Sequence, residues 1–157
     1  MKHDPAVWKA RQHPDFAGPL LLDTHIWVWY LDGVKGRMSS AAVDLLKRCV
    51  KENLAQVSDI SIWELANKAS KGQIELKPNT SAWLRRAEGQ SGFAFLPVDR
   101  EVLLESTLLP GEVHGDPADR MIMATSALRH IALITADADI IDYVRRSPLL
   151  SVCDARR

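Results

Sequence analysis

The sequence is short of several features that mark common functional classes. It has no net charge, because twenty Lys and Arg residues balance twenty Asp and Glu residues, so it lacks the global basic field that draws a chain to nucleic acid or an anionic membrane. Any polyanion has to be gripped locally, through metal ions or a patch of cations. Cysteine is scarce: Cys49 and Cys153 stand far apart among apolar neighbours, with no CxxC pair and no disulfide framework. They read as reduced, buried thiols, and the expected location is the cytoplasm. Long hydrophobic runs are missing too. The run Pro19-Leu20-Leu21-Leu22 stops at Asp23, well short of the roughly 20 residues of a membrane span. Neither repeats nor low-complexity tracts occur. What remains is an ordinary globular composition, 46% hydrophobic and 25% charged over 157 residues, suited to one domain.

Short apolar runs alternate with segments of helical periodicity. Residues 19–23, 54–58, 93–96, 131–135 and 149–153 read as strands, and each of the first four is followed by an amphipathic helical stretch, the first of them capped by Thr24 and closed by Asp32-Gly33. The expectation is an α/β fold with a mostly parallel sheet of about five strands and helices on both faces. Residues 1–18 carry His3, Asp4, Pro5, His13, Pro14 and Asp15 without periodicity, and read as a flexible N-terminal extension before a single domain over 19–157. The aromatic group Trp27, Trp29 and Tyr30 reads first as core or subunit-interface filling, with base stacking as the alternative.

Acids recur at one place in this pattern. Asp23 ends the first strand, Glu64 lies on the helix after the second, Asp116 and Asp119 open a helix, and Asp137 follows the strand at 131–135. Each has a local explanation. Asp116-Pro117 is a helix start, with Asp119 in the first turn near the positive end of the dipole. Ser61-Ile62-Trp63-Glu64 has the Ser-x-x-Glu form of a capping box, and Glu64 can also pair with Lys68. Yet in open α/β sheets the functional crevice lies outside the carboxyl ends of the strands, so separate segments bring acids to one rim. Clustered carboxylates repel one another and demand a neutralising cation. Oxygen ligands without His or Cys point to Mg²⁺ or Mn²⁺. Such ions polarise phosphoryl oxygens, so the rim reads as a phosphodiester-cleaving site.

With these residues in view, the chain resembles the PIN-domain ribonucleases, and more narrowly the VapC-like toxins of bacterial type II toxin–antitoxin modules. The resemblance is carried by Leu21-Leu22-Asp23-Thr24-His25, by Ser61-Ile62-Trp63-Glu64-Leu65-Ala66, by His114-Gly115-Asp116-Pro117-Ala118-Asp119-Arg120, and by Leu133-Ile134-Thr135-Ala136-Asp137, in the family's order. It implies an α/β/α sandwich and a metal-dependent endoribonuclease that hydrolyses RNA by metal-activated water, leaving 3′-hydroxyl and 5′-phosphate ends. It implies a cognate VapB-like antitoxin and a homodimer as well. Position by position, Asp23, Glu64, Asp119 and Asp137 match the family's catalytic and metal-binding acids, while Asp116 matches a further ligand position or a helix cap. The resemblance further offers Thr24 and Thr135 either as groups that position a metal-bound water or as strand-end hydrogen bonders, and Arg120 either as a contact to substrate phosphate or as the salt-bridge partner of a neighbouring acid. Asp139 repeats Asp137 two residues on, and residues 1–18 extend beyond the family pattern.

Two other enzyme classes fit poorly. A haloacid-dehalogenase-type phosphatase needs an Asp where His25 stands, and a receiver domain needs a Lys-Pro after its last strand. The alternative from a different class is a non-catalytic acidic module that binds metal or captures a basic partner. Lys68, Lys71, Arg85 and Arg86 are the candidate cations for a local rim.

Overall fold

The computed structural model describes residues 5–113 and 115–157. His3, Asp4 and His114, all named above, lie outside the described residues. Six strands form one sheet in the order β1 (Val7–Trp8), β6 (Val152–Asp154), β5 (Ala132–Thr135), β2 (Leu20–Leu22), β3 (Ala55–Ser58), β4 (Phe93–Leu96). All neighbouring pairs run parallel. The helices are α1 (Thr24–Asp32), α2 (Ser40–Lys51), α3 (Ile60–Ser70), α4 (Thr80–Glu88), α5 (Arg100–Leu108), α6 (Pro117–Arg129) and α7 (Ala138–Arg146). No helix among the described residues is long and apolar enough to cross a membrane.

The period-two alternation of strands divides the core between the faces. Leu20, Leu22, Val57, Ile134 and Cys153 pack into one cluster with Ile26, Trp27, Leu45, Leu46 and Trp83 from α1, α2 and α4. Leu21, Leu133 and Val152 pack into the other with Ile122, Met123, Ile140, Ile141 and Val144 from α6 and α7. Strands covered on both sides need no polar face, which is why Leu20, Leu21 and Leu22 run consecutively without exposure. The result is the expected α/β/α sandwich, with both cysteines buried and free.

Two expectations are corrected. The described residues form the mostly parallel sheet expected, and a strand beyond the five read from the sequence comes from the segment read as a flexible extension. Val7 and Trp8 pair in parallel with Val152 and Cys153. Trp8 is only 4% exposed, its indole N–H donates to Ser151 Oγ at 2.8 Å, and its ring packs on Phe16. A strand of two residues has no periodicity to read, and its partner lies at the other end of the chain. The second correction concerns α1: Thr24 is its first residue rather than its cap, and Asp23 caps it instead.

The chain leaves central strand β2 for β3 on one side and returns to β5 on the other. Asp23, the residue after β2, therefore sits at the switch point where open parallel sheets form their crevice. If residues 5–18 are integral to the domain, Trp8→Ala will cost about 3–5 kcal/mol in chemical denaturation, as large aromatic-to-Ala changes in cores do. A free extension would leave the unfolding midpoint unchanged.

Candidate active site

Asp23 is 1% exposed and held from three sides. Its Oδ1 accepts from the Thr24 backbone N–H at 2.8 Å, and its Oδ2 accepts from Thr135 Oγ1 at 2.6 Å. His25 Nδ1 lies 3.9 Å from the same Oδ2. The Thr135 hydroxyl in turn accepts from the Asp137 backbone N–H at 3.0 Å. One threonine at the end of β5 thus ties the acid after β2 to the acid after β5. Asp137 also caps α7, accepting from the backbone of Asp139 and Ile140. Asp139 itself lies exposed in the first turn of that helix.

The capping-box reading of Ser61 and Glu64 does not hold. Helix α3 begins at Ile60 with Asp59 as its cap residue and no side-chain cap bond. The Ser61 hydroxyl is instead hydrogen-bonded to Thr24 Oγ1 at 2.7 Å, a buried link from α3 to the start of α1. Glu64, one helical turn on, is consequently carried into the interior, where it is 4% exposed. Its Oε2 meets Lys68 Nζ at 3.4 Å, while its buried Oε1 has no hydrogen-bond partner among the described residues. Thr24 and Thr135, read from the sequence as positioning groups, here hold other side chains in place.

The start of α6 follows its sequence signals. Asp116 caps it by accepting from the Asp119 backbone N–H at 3.2 Å, Pro117 takes the first turn, and Asp119 turns inward at 4% exposure. Oxygens of Glu64, Asp116 and Asp119 lie within 4.8 Å of one another, enough to share one cation. The Asp119 carboxyl is pushed up to about 8, first by burial and then by the charges of Asp23, Asp116, Glu64 and Asp137. Four of the acids singled out in the sequence, Asp23, Glu64, Asp116 and Asp137, therefore act on this one carboxyl. Arg120 follows it, half-buried on α6. His25 is raised chiefly by the Asp23 carboxylate beside it, against the opposing effects of burial and of the Lys68 charge, with a smaller rise from Glu64.

Among the rim cations, only Lys68 is placed against a site acid. Arg85 and Arg86 lie exposed on α4, where Arg86 donates to the Lys77 carbonyl, and Lys71 is exposed at the end of α3. His25 and Ser61 are additions that sequence reasoning missed. The position of His25 next to Asp23-Thr24 was the available signal, whereas no local pattern announced the Ser61–Thr24 bond.

Burial, an orphaned carboxylate oxygen and a set of oxygen donors that repel one another fit a hard divalent cation. This arrangement of strand-end acids around a parallel sheet defines a class: a PIN domain matches residues 20–146, and the chain belongs to that family. It is 34% identical over 119 residues to Ribonuclease VapC22 of Mycobacterium tuberculosis, covering 75% of this chain and 86% of that protein. Two solved structures share the fold. VapBC2 from Rickettsia felis, bound to a DNA fragment from its promoter, matches with a TM-score of 0.62 at 19% identity, covering 85% of this chain and 96% of that chain. DNA-bound VapBC from Salmonella typhimurium matches with a TM-score of 0.58 at 17% identity, over 87% and 97%.

The raised Asp119 group has a consequence for stability. Its carboxyl holds a proton more tightly folded than unfolded, so the contribution is fully present below the unfolded value of 3.8 and is lost as pH rises from there to about 8. Asp119→Asn, which cannot ionise, will therefore gain on wild type in metal-free melting temperature as pH rises across that window. A difference that stays flat with pH would contradict the assignment.

Proposed function

We infer that this chain is an RNA-cleaving hydrolase of the VapC type, the toxin member of a toxin–antitoxin pair. The observation that carries the reading is the convergence of Asp23, Glu64, Asp116 and Asp137 on the buried Asp119 carboxyl at the carboxyl end of the central strand, in a PIN domain related to a ribonuclease. We further propose that the hydrolysis depends on Mg²⁺ or Mn²⁺. Glu64, Asp116 and Asp119 would hold the ion, with Asp23 and Asp137 completing the acidic surround. Such an ion, when bound, neutralises these carboxylates and supplies the electrophilic pull on a phosphoryl oxygen.

The protein's own contribution is orientation. Thr135 and the Thr24 N–H fix both oxygens of Asp23, so that carboxylate presents one face to the crevice. The Ser61–Thr24 bond sets the rotation of α3 and with it the position of Glu64. Lys68 balances one Glu64 oxygen and leaves the other available. Groups fixed in advance need little reorganisation when charge develops on the phosphate. For a partner, we propose a VapB-like antitoxin, a reading supported by the VapBC assemblies among the structures of like fold.

Partner-free protein incubated with RNA will cleave it when Mg²⁺ or Mn²⁺ is supplied and will stop when chelator is added. Asp23→Asn and Asp119→Asn will fall to the level of the chelator control while remaining folded. Cleavage that survives chelation would remove the metal from the account, and full activity in Asp23→Asn would remove the site. Metal-dependent stabilisation with no cleavage of any RNA would favour the non-catalytic acidic module.

A further inference from the structure

The mechanism above makes no use of a strip of planar side chains that begins at the acid cluster and leads away from it. His25 and Trp29 are four residues apart on α1 and so share a face of that helix. Their ring centroids are 5.8 Å apart, and the Arg37 guanidinium lies 5.7 Å from the Trp29 ring centre. The near end of the strip is His25, whose Nδ1 is 3.9 Å from Asp23 Oδ2 and whose side chain is 43% exposed. The far end, Arg37, is exposed, and Trp29 between them is half-buried.

Arg37 stands on a short anchored loop. Gly33 ends α1 in the left-handed region at φ 63°, a conformation a residue with a Cβ adopts only with strain, and its N–H returns to the carbonyls of Trp29 and Tyr30. Val34 N–H also bonds Trp29 O at 3.0 Å, and Ser39 N–H bonds Ala155 O at 2.9 Å on the far side. The cleft beside the strip is lined by Trp29, Tyr30, Val34 and Met38, with Lys35 and Lys47 against a single acid, Asp44.

We propose that His25, Trp29 and Arg37 form a stacking subsite that holds the nucleotides adjoining the scissile phosphate. This rests on the ribonuclease reading and names the side chains that grip its substrate. Unpaired bases stack on aromatic rings and on guanidinium planes, whereas a duplex hides those faces. Arg37, Lys35 and Lys47 attract the phosphates that accompany the bases, and they repel a basic protein segment seeking the same cleft. In a chain with no net charge, this places cations beside an acidic pocket that would otherwise turn RNA away.

The test measures binding in chelator, by fluorescence anisotropy, of a short labelled RNA single strand and of its duplex, and then cleavage of the single strand with Mg²⁺. Arg37→Gln and Trp29→Leu will weaken single-strand binding by about five- to one hundred-fold, the span that base stacking commands; Trp29→Leu will leave duplex binding nearly unchanged, and Arg37→Gln will lower it only by the smaller share that its charge contributes. Arg37→Lys will recover only part of the loss, because it restores charge without the plane. In cleavage the defect will appear in KM. Arg37 is exposed, so its replacement leaves the core intact and decides the matter even if Trp29→Leu folds poorly. Wild-type affinity in Arg37→Gln, or equal losses on single strand and duplex, would overturn the subsite while leaving the ribonuclease standing. A wild-type protein that cuts no RNA with metal supplied would reject both.

Discussion

Mutual repulsion among carboxylates at the carboxyl end of β2 is the constraint on which the rest of this structure depends. The parallel sheet gathers acids there because strand ends and helix starts face the same edge, and the hydrogen bonds of Thr24, Ser61 and Thr135 then hold them in place. Holding them is unfavourable in itself, and the cost shows in the upward shift of Asp119, to which burial contributes most and the neighbouring charges the rest. A cation shared among Glu64, Asp116 and Asp119, as proposed, would relieve that cost.

The comparison with Asp154 makes the point within the same molecule. This residue ends β6 beside Thr135 and is as deeply buried as Asp23. Burial alone would raise it, yet two hydrogen bonds from the Arg156 side chain, at 3.0 Å each, and one from its backbone bring it below the ordinary range. Asp99, which caps α5, likewise has Arg129 at 2.9 Å. The sheet edge thus contains acids matched to a fixed cation and one, Asp119, whose burial and acidic neighbours disfavour its charge. The proposed metal belongs with this second kind.

Much of this was legible in the sequence because it is local. The Asp116-Pro117 helix start, the Gly33 helix stop and the apolar run ending at Asp23 each carry their signal within a few residues, and the structure keeps all three. What escaped was long-range. Trp8 finds Ser151 across nearly the whole chain, and a two-residue edge strand offers no pattern by which to anticipate it. Ser61 looked like half of a capping box, but its hydroxyl reaches Thr24 on another helix, and that tertiary bond prevails over the local motif. The aromatic group divides in the same way. Trp27 is core, packed edge-on against Trp83, whereas Trp29 shares its ring with His25 and Arg37 at the surface.

The most direct test of the central claim is the count of protons released when the metal-free protein binds Mg²⁺ at pH 7, measured by titration calorimetry in buffers of different ionisation enthalpy. With Asp119 titrating near 8, most molecules carry a proton on that carboxyl before the ion arrives, and binding must expel it. Wild type is expected to release a proton on binding, and Asp119→Asn to release measurably fewer. Binding by wild type without proton release would mean that the cluster is already ionised, and that the repulsion at the head of this account is not there.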